Sequence, residues 1–179
     1  LDMTAEMVAR ARAHAAGAEL DNVEILSGLM ESVPLADASV DAVVSNGVLN
    51  LSTRKSRVLA EAMRVLRPGG RAVFTEPNIL NPQVAFMFHV GLTKPYFGVS
   101  PDEMAFSRLR ALRSLRKAGF AEAEVRPFDF LHPATPERFC DVLDRIGRRL
   151  ERLPVVREVT GSFVVRGRRP GGPSEAFAL

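Results

Sequence analysis

The segment from Val40 to Thr75 most constrains what this chain can fold into. Val40-Asp41-Ala42-Val43-Val44-Ser45 reads as a strand, apolar enough to be buried on both faces. From Thr53 to Leu66 the apolar positions Val58, Leu59, Met63 and Leu66 mark a helix. Arg67-Pro68-Gly69-Gly70 stops it, since proline cannot continue the helix and glycine tolerates the turn. Arg71 to Thr75 is a further strand. Strand, helix and strand in this order predict a parallel α/β unit with right-handed crossovers.

The flanking segments extend that unit. Thr4 is a candidate helix cap, and Met7, Val8 and Ala11 follow at helical spacing up to Gly17. Val23-Glu24-Ile25-Leu26 reads as a short strand, followed by a loop with Pro34 and Asp37. Beyond Glu76, Pro77 and Pro82 lead into an apolar stretch from Val84 to Leu92. Ser100-Pro101-Asp102-Glu103 has a capping serine, a proline at the first helical position and a glutamate three residues after the cap, so it starts a helix that Gly119 stops. Ala123 to Phe130 is a strand. Thr135-Pro136-Glu137 opens another helix, with Phe139, Val142, Leu143, Ile146 and Leu150 on one face, and Glu158 to Arg166 alternates as a last strand. No repeat or linker divides the chain. Residues 1–169 read as one domain and 170–179, with Pro170, Gly171, Gly172 and Pro173, as a disordered tail.

Composition narrows the function classes. The 179 residues are 46% hydrophobic and 25% charged, the balance of a soluble globular domain. A net charge of +3 with arginines spread along the chain is no nucleic-acid footprint, so no nucleic-acid partner is expected. Cys140 is the single cysteine, which excludes an internal disulfide, and His14, His89 and His132 lack metal-ligand spacing, so no metal is expected. No apolar run reaches the roughly 18 residues of a transmembrane helix and no signal peptide is evident, which makes a cytoplasmic enzyme the default.

A nucleoside cofactor needs a carboxylate near a strand end to accept hydrogen bonds from its ribose hydroxyls. Asp2, just before a helix, suits that role, and a plain helix-capping role is the other reading. Four segments together go further. They are Leu1-Asp2-Met3-Thr4-Ala5-Glu6-Met7, Asn22 to Gly28, Val33 to Asn46, and Glu61-Ala62-Met63-Arg64-Val65-Leu66-Arg67-Pro68-Gly69-Gly70-Arg71. In this order and spacing the chain resembles class I S-adenosylmethionine-dependent methyltransferases, closely to about Pro77 and more loosely to Arg169. The resemblance implies a Rossmann-like α/β fold: a doubly wound, mostly parallel sheet with an antiparallel last strand near Phe163. It also implies that the chain begins after the family's first strand, helix and glycine-rich loop.

The implied cofactor is S-adenosylmethionine. By resemblance, Asp2 binds the ribose hydroxyls and Met3 lies against the adenine. The loop Gly28, Leu29, Met30 and Glu31 meets the adenine edge, and Asn46 and Gly47 lie beside the methionine portion and the methyl group. Leu29 stands where the family usually has an acid, for which Glu31 is the candidate substitute. Ser45-Asn46-Gly47-Val48-Leu49-Asn50-Leu51-Ser52 is similar to a segment of arsenite methyltransferases, which carry a cysteine where this chain has Gly47. With Cys140 as the sole thiol, arsenic is not the expected acceptor.

Methyl transfer from a sulfonium is largely alignment, with a general base when the acceptor is a hydroxyl or carbon acid. Glu76, at a strand's carboxyl end, and His89 are the candidate bases, with His132 a weaker third. Residues 78–99, with Phe86, Met87, Phe88, Tyr96 and Phe97, read either as an apolar lid, favouring a small-molecule or lipid- or sugar-linked acceptor, or as a core-packing helix. Arg138, Arg145, Arg148, Arg149 and Arg152 make the helix from Pro136 to Leu153 basic and amphipathic. Packing against the sheet is the expectation for its stripe, and contact with an anionic membrane is the lesser reading. The oligomeric state is open. The alternatives to an active methyltransferase are a non-catalytic remnant or binding domain of that family and a nicotinamide-dependent dehydrogenase.

Overall fold

A computed structural model describes residues 1–89, 107–130 and 135–171. Helix α1 (Ala5–Gly17) precedes strand β1 (Val40–Asn46), and α2 (Lys55–Val65) leads directly into β2 (Leu66–Pro77). Helices α3 (Pro82–His89) and α4 (Arg108–Lys117) come before β3 (Ala121–Phe128), and α5 (Glu137–Leu150) before β4 (Ser162–Arg168). The helix start expected at Ser100 and the weaker base candidate His132 lie outside the described residues, as do Tyr96, Phe97 and residues 172–179 of the expected tail.

The four strands form one sheet in the order β1-β2-β4-β3. β1 and β2 are parallel, while β4 runs antiparallel to both β2 and β3. Three strands therefore share one direction and the last is reversed, as the α/β reading requires. The core lies where α2 and α4 cover this sheet. Leu59 and Leu66, Leu115 of α4, Phe74 of β2 and Phe163 of β4 are fully buried together. Each removes a large side chain from water, worth about 1.5–3 kcal/mol.

Four expectations are corrected. Val23–Leu26 is not a strand; near it the structure has an isolated parallel bridge between Asp2 and Ser27. The Arg67-Pro68-Gly69-Gly70 segment is not a turn after the helix but the irregular start of β2. Leu66 pairs with Val40 while Arg71 already pairs with Ala42. Gly69 has φ of 84° there, and a Cβ on Gly70 would stand 2.8 Å from the Arg67 carbonyl oxygen, so both positions require glycine.

β1 is not buried on both faces. It is the edge of the sheet, and Val44 is 77% exposed. Nor does the stripe of α5 pack against the sheet. Phe139, Val142, Leu143 and Ile146 are all exposed, and the helix touches the body of the domain through Gly147, which is buried against Phe130. An apolar stripe says which face would gain from cover, and here another contact fixed the helix's orientation.

Candidate functional site

Asn46, Gly47 and Glu76 lie at the carboxyl ends of β1 and β2, Glu31 joins the Gly28 loop to them through Ser52, and Asp2 bridges to Ser27 beside that loop. Asp2 donates its N–H to the Leu26 carbonyl at 3.2 Å, and Gly28 donates to the Asp2 carbonyl at 2.9 Å. This holds the stretch before α1 alongside the Gly28 loop. The Asp2 carboxylate accepts the Thr4 N–H at 2.7 Å, and that bond holds its pKa below the usual aspartate value. The carboxylate thus bonds the N–H of Thr4, the residue before α1, and stands ionised beside the isolated Asp2–Ser27 bridge. Met3, immediately after it, is exposed.

The Gly28 loop is shaped by close approach. A Cβ on Gly28 would lie 2.9 Å from Pro34 Cδ, so only glycine lets the chain turn back over Pro34. Leu29 is exposed and Met30 packs against the core. Glu31 turns toward the next loop, where its carboxylate accepts the Ser52 hydroxyl at 2.6 Å. Its own carbonyl accepts Arg57 Nε at 3.1 Å.

The loop after β1 is the best-anchored part of the site. Asn46 ends the strand opposite Thr75, and Gly47, with φ of 64°, donates its N–H to the Thr75 carbonyl at 2.7 Å. Among the described residues nothing lies within 4 Å of where a Gly47 Cβ would stand, so the backbone there leaves room for close approach. Beyond it Leu49 to Leu51 form one 3-10 turn. The Glu76 carboxylate closes that turn onto β2, one oxygen accepting the Leu49 N–H and the other the Asn50 N–H, each at 3.0 Å.

Glu76 is only 1% exposed, among Leu49, Leu59, Leu115 and Phe163. Burial pushes its pKa up to about 7, against the opposing pull of the two amides and Lys55. Lys55 is itself lowered by burial while it donates to the Asn50 carbonyl at 3.2 Å. In this arrangement the carboxylate is enclosed by protein and bonded to the loop. His89 stands apart on the exposed end of α3, its Nδ1 3.2 Å from the Ala85 carbonyl. A proton on Nδ1 satisfies that carbonyl in one of the ring's two tautomers.

Sequence reasoning missed the residues that attach this site to α2. Glu61 Oε2 accepts the Val33 N–H at 3.1 Å. Arg64 reaches the Val33 and Leu35 carbonyls, each at 2.8 Å, as well as Glu61 and Asp37. The available signal was Glu61 itself, an acid between Val58 and Ala62 on the apolar face of a helix, where only a partnered carboxylate is tolerated. Arg169 was missed too; its guanidinium accounts for the Met63, Arg64 and Leu66 carbonyls at the end of α2.

Residues 1–74 match the family model described as a methyltransferase domain. The chain is 37% identical over 131 residues to an arsenite methyltransferase of Halobacterium salinarum, an alignment spanning 72% of this chain and 32% of that protein. It is 33% identical over 144 residues to the ubiquinone/menaquinone biosynthesis C-methyltransferase UbiE of Roseobacter denitrificans, covering 70% of this chain and 57% of that protein. These likenesses support a class I S-adenosylmethionine-dependent methyltransferase. It spans between about a third and somewhat over half the length of these two relatives. The fold agrees. A putative methyltransferase solved with the Haloferax volcanii Trm112 activator superposes with a TM-score of 0.65 at 22% identity, covering 94% of this chain and 70% of that one. A Thermotoga maritima methyltransferase, described as a possible histamine N-methyltransferase, gives 0.64 at 21% identity, covering 93% and 70%. The cofactor of the family is S-adenosylmethionine.

Proposed function

We propose that this methyltransferase domain moves a methyl group from S-adenosylmethionine to a small organic or lipid- or sugar-linked acceptor. The observation that carries the reading is the fastening of two loops at one end of the sheet. Glu76 pins the loop from Gly47 to Ser52, and Ser52 in turn holds Glu31 of the Gly28 loop. The residues present suit the cofactor. An ionised Asp2 beside its bridge to Ser27 offers the acceptor that vicinal ribose hydroxyls require, and the open backbone at Gly47 allows close approach of the methionine portion. S-adenosylmethionine, when bound, supplies a methyl activated by its sulfonium charge.

The chain's own residues then bind and orient. Met3 and the stretch from Gly28 to Glu31 border the adenine, with Leu29 offering an apolar edge where relatives usually place an acid. Asn46 and Gly47 flank the methyl group. Glu76 acts as a positioning residue, since its carboxylate holds the loop and faces the interior. His89 is the candidate base, its exposed ring on the end of α3 taking a proton from an acidic acceptor. Exposed Phe86 and Leu80, on and just before α3, supply apolar surface after β2, which favours an organic acceptor over an inorganic one.

Calorimetric titration with S-adenosylhomocysteine tests the assignment. Asp2→Ala is expected to weaken binding about tenfold or more, the usual effect of losing a hydrogen bond to a charged group. Equal affinity in the variant would remove Asp2 from the cofactor site. His89→Ala is expected to leave that affinity unchanged and lower turnover. Cofactor binding with no turnover on any organic acceptor would favour a binding domain instead.

A further inference from the structure

The surface of α5 is unaccounted for by methyl transfer. Phe139, Val142, Leu143 and Ile146 are between 42% and 51% exposed, a high value for four large apolar side chains on one helix. At about 100° per residue they fall within one stripe, roughly 100° wide. Leu153, just beyond the helix, is exposed as well.

Charge is distributed unevenly around that stripe. By the same spacing Arg138, Arg145, Arg149 and Arg152 follow one border of it, all four exposed. The guanidinium of Arg138 lies 4.8 Å from the Phe139 ring centroid, so the basic border and the apolar stripe are continuous. Of the acids in and just after α5, Asp144 pairs with Arg148, and Glu151 accepts the Asp129 N–H at 3.0 Å; Asp141 alone lies beside the border, one turn before Arg145, and leaves it with a net positive charge. Gly147 and Glu151 therefore attach the helix to the domain and leave the stripe outward.

We propose that α5 docks on an anionic lipid bilayer, its apolar stripe in the headgroup–acyl boundary and its arginine border against lipid phosphates. Charge complementarity selects this occupant, because a helix with bulky apolar residues on one face and arginines beside them is the combination that anionic membranes bind. Area argues the same way. Four half-exposed side chains offer on the order of 400 Å², against about 800 Å² per partner in a stable protein interface. A second copy would also bring a like-charged arginine border to the contact. The proposal stands independently of the methyl acceptor, since it concerns a surface rather than the cofactor site.

The test is flotation of the whole chain with vesicles of phosphatidylcholine alone and of phosphatidylcholine with phosphatidylglycerol, at low and raised salt. Binding is expected only with phosphatidylglycerol and is expected to weaken with salt. Arg145→Ala with Arg149→Ala should lower partitioning about fivefold for each arginine removed. Ile146→Asp should abolish it with no change in thermal melting, since the side chain is exposed. Failure to float with phosphatidylglycerol vesicles would overturn the proposal, as would equal flotation on both vesicle types or by the double arginine variant. Sedimentation velocity supplies the remaining outcome: a dimer that Ile146→Asp splits would assign the stripe to a second copy and overturn the lipid assignment. Titration with S-adenosylhomocysteine reads the cofactor site separately, so failure of either reading is recognised without the other.

Discussion

Around β2 and β4 the domain is sealed by apolar side chains, with Phe74, Phe163, Leu59 and Leu115 shut away from water, whereas Val8 is the only buried residue among residues 1–48. Those first residues, which carry Asp2 and the Gly28 loop, are attached mainly by directed bonds. Glu61 and Arg64 hold Val33 and Leu35, and the Arg64 and Val65 carbonyls accept the Ala38 and Ser39 N–H groups. Apolar burial is diffuse and fails as a unit, while a few hydrogen bonds can be released locally. The stretch from Asp2 to Ser39 can therefore loosen while the sheet behind it stays folded.

The largest effect is expected in the sealed region. Phe163→Ala removes a fully buried ring between β2 and β3 and should cost about 3–5 kcal/mol. That is a large fraction of the roughly 5–15 kcal/mol of a typical domain. Thermal melting should show one cooperative transition moved well down in temperature. A loss under about 1 kcal/mol would mean that the packing there is not what holds the sheet.

Glu76 lies between the two regions and gives the next effect. Its folded pKa of about 7 exceeds the ordinary glutamate value, so the folded state binds the extra proton between the two. Stability from this group is fully present below the unfolded pKa and declines as pH rises through about 7. By linkage the decline amounts to about 3 kcal/mol. Glu76→Gln should flatten that part of the stability–pH curve. It should also raise amide exchange at Asn50, because the carboxamide replaces one acceptor oxygen with a donor. An unchanged pH slope would remove Glu76 as its source.

Arg64→Ala tests the directed bonds alone. It should cost about 2 kcal/mol, chiefly by leaving the mostly buried Glu61 carboxylate without its closest cation. Hydrogen exchange should accelerate at Val33 and Ala38 and remain unchanged in β4. Equal acceleration in β4 would show that the two regions unfold together, and the contrast between them would be gone.

The legibility of the chain follows the same division. Strand β1, helix α2 and the Arg71–Thr75 part of β2 were readable because periodicity acts locally, whereas the Arg-Pro-Gly-Gly run read as a turn and lies inside β2. Whether a strand or stripe is covered depends on partners distant in sequence, so Val44 and the face of α5 read as buried and are exposed. Val23–Leu26 has strand-like residues, but a strand needs a ladder, and the structure provides only the single Asp2–Ser27 bridge. Glu76 was legible as a carboxylate at a strand's end. Its turn toward Leu49 and Asn50 was not, because those amides lie 26 and 27 residues away. Gly28 and Gly47 were named through family resemblance, and Asp2 through its place before a helix as well; resemblance reports shared positions without the bonds that hold them.

The smallest effect separates an ion pair from an anchor. Arg67 meets both oxygens of Asp41 at 2.8 Å, much as Arg64 meets Asp37 at 2.7 Å. Distance alone would rank the pairs as equals. Arg67 and Asp41 are 52% and 81% exposed, so water and salt compete for both groups at little cost. Asp41→Ala should therefore change stability by less than about 1 kcal/mol, with no change in exchange at Val33. Asp37→Ala should behave alike, because Arg64 keeps Glu61 and the Val33 and Leu35 carbonyls without it. A loss from Asp37→Ala as large as that from Arg64→Ala would place the attachment in the surface pair. A small loss leaves it with Glu61 and the Val33 and Leu35 carbonyls, which the planar guanidinium of Arg64 holds together.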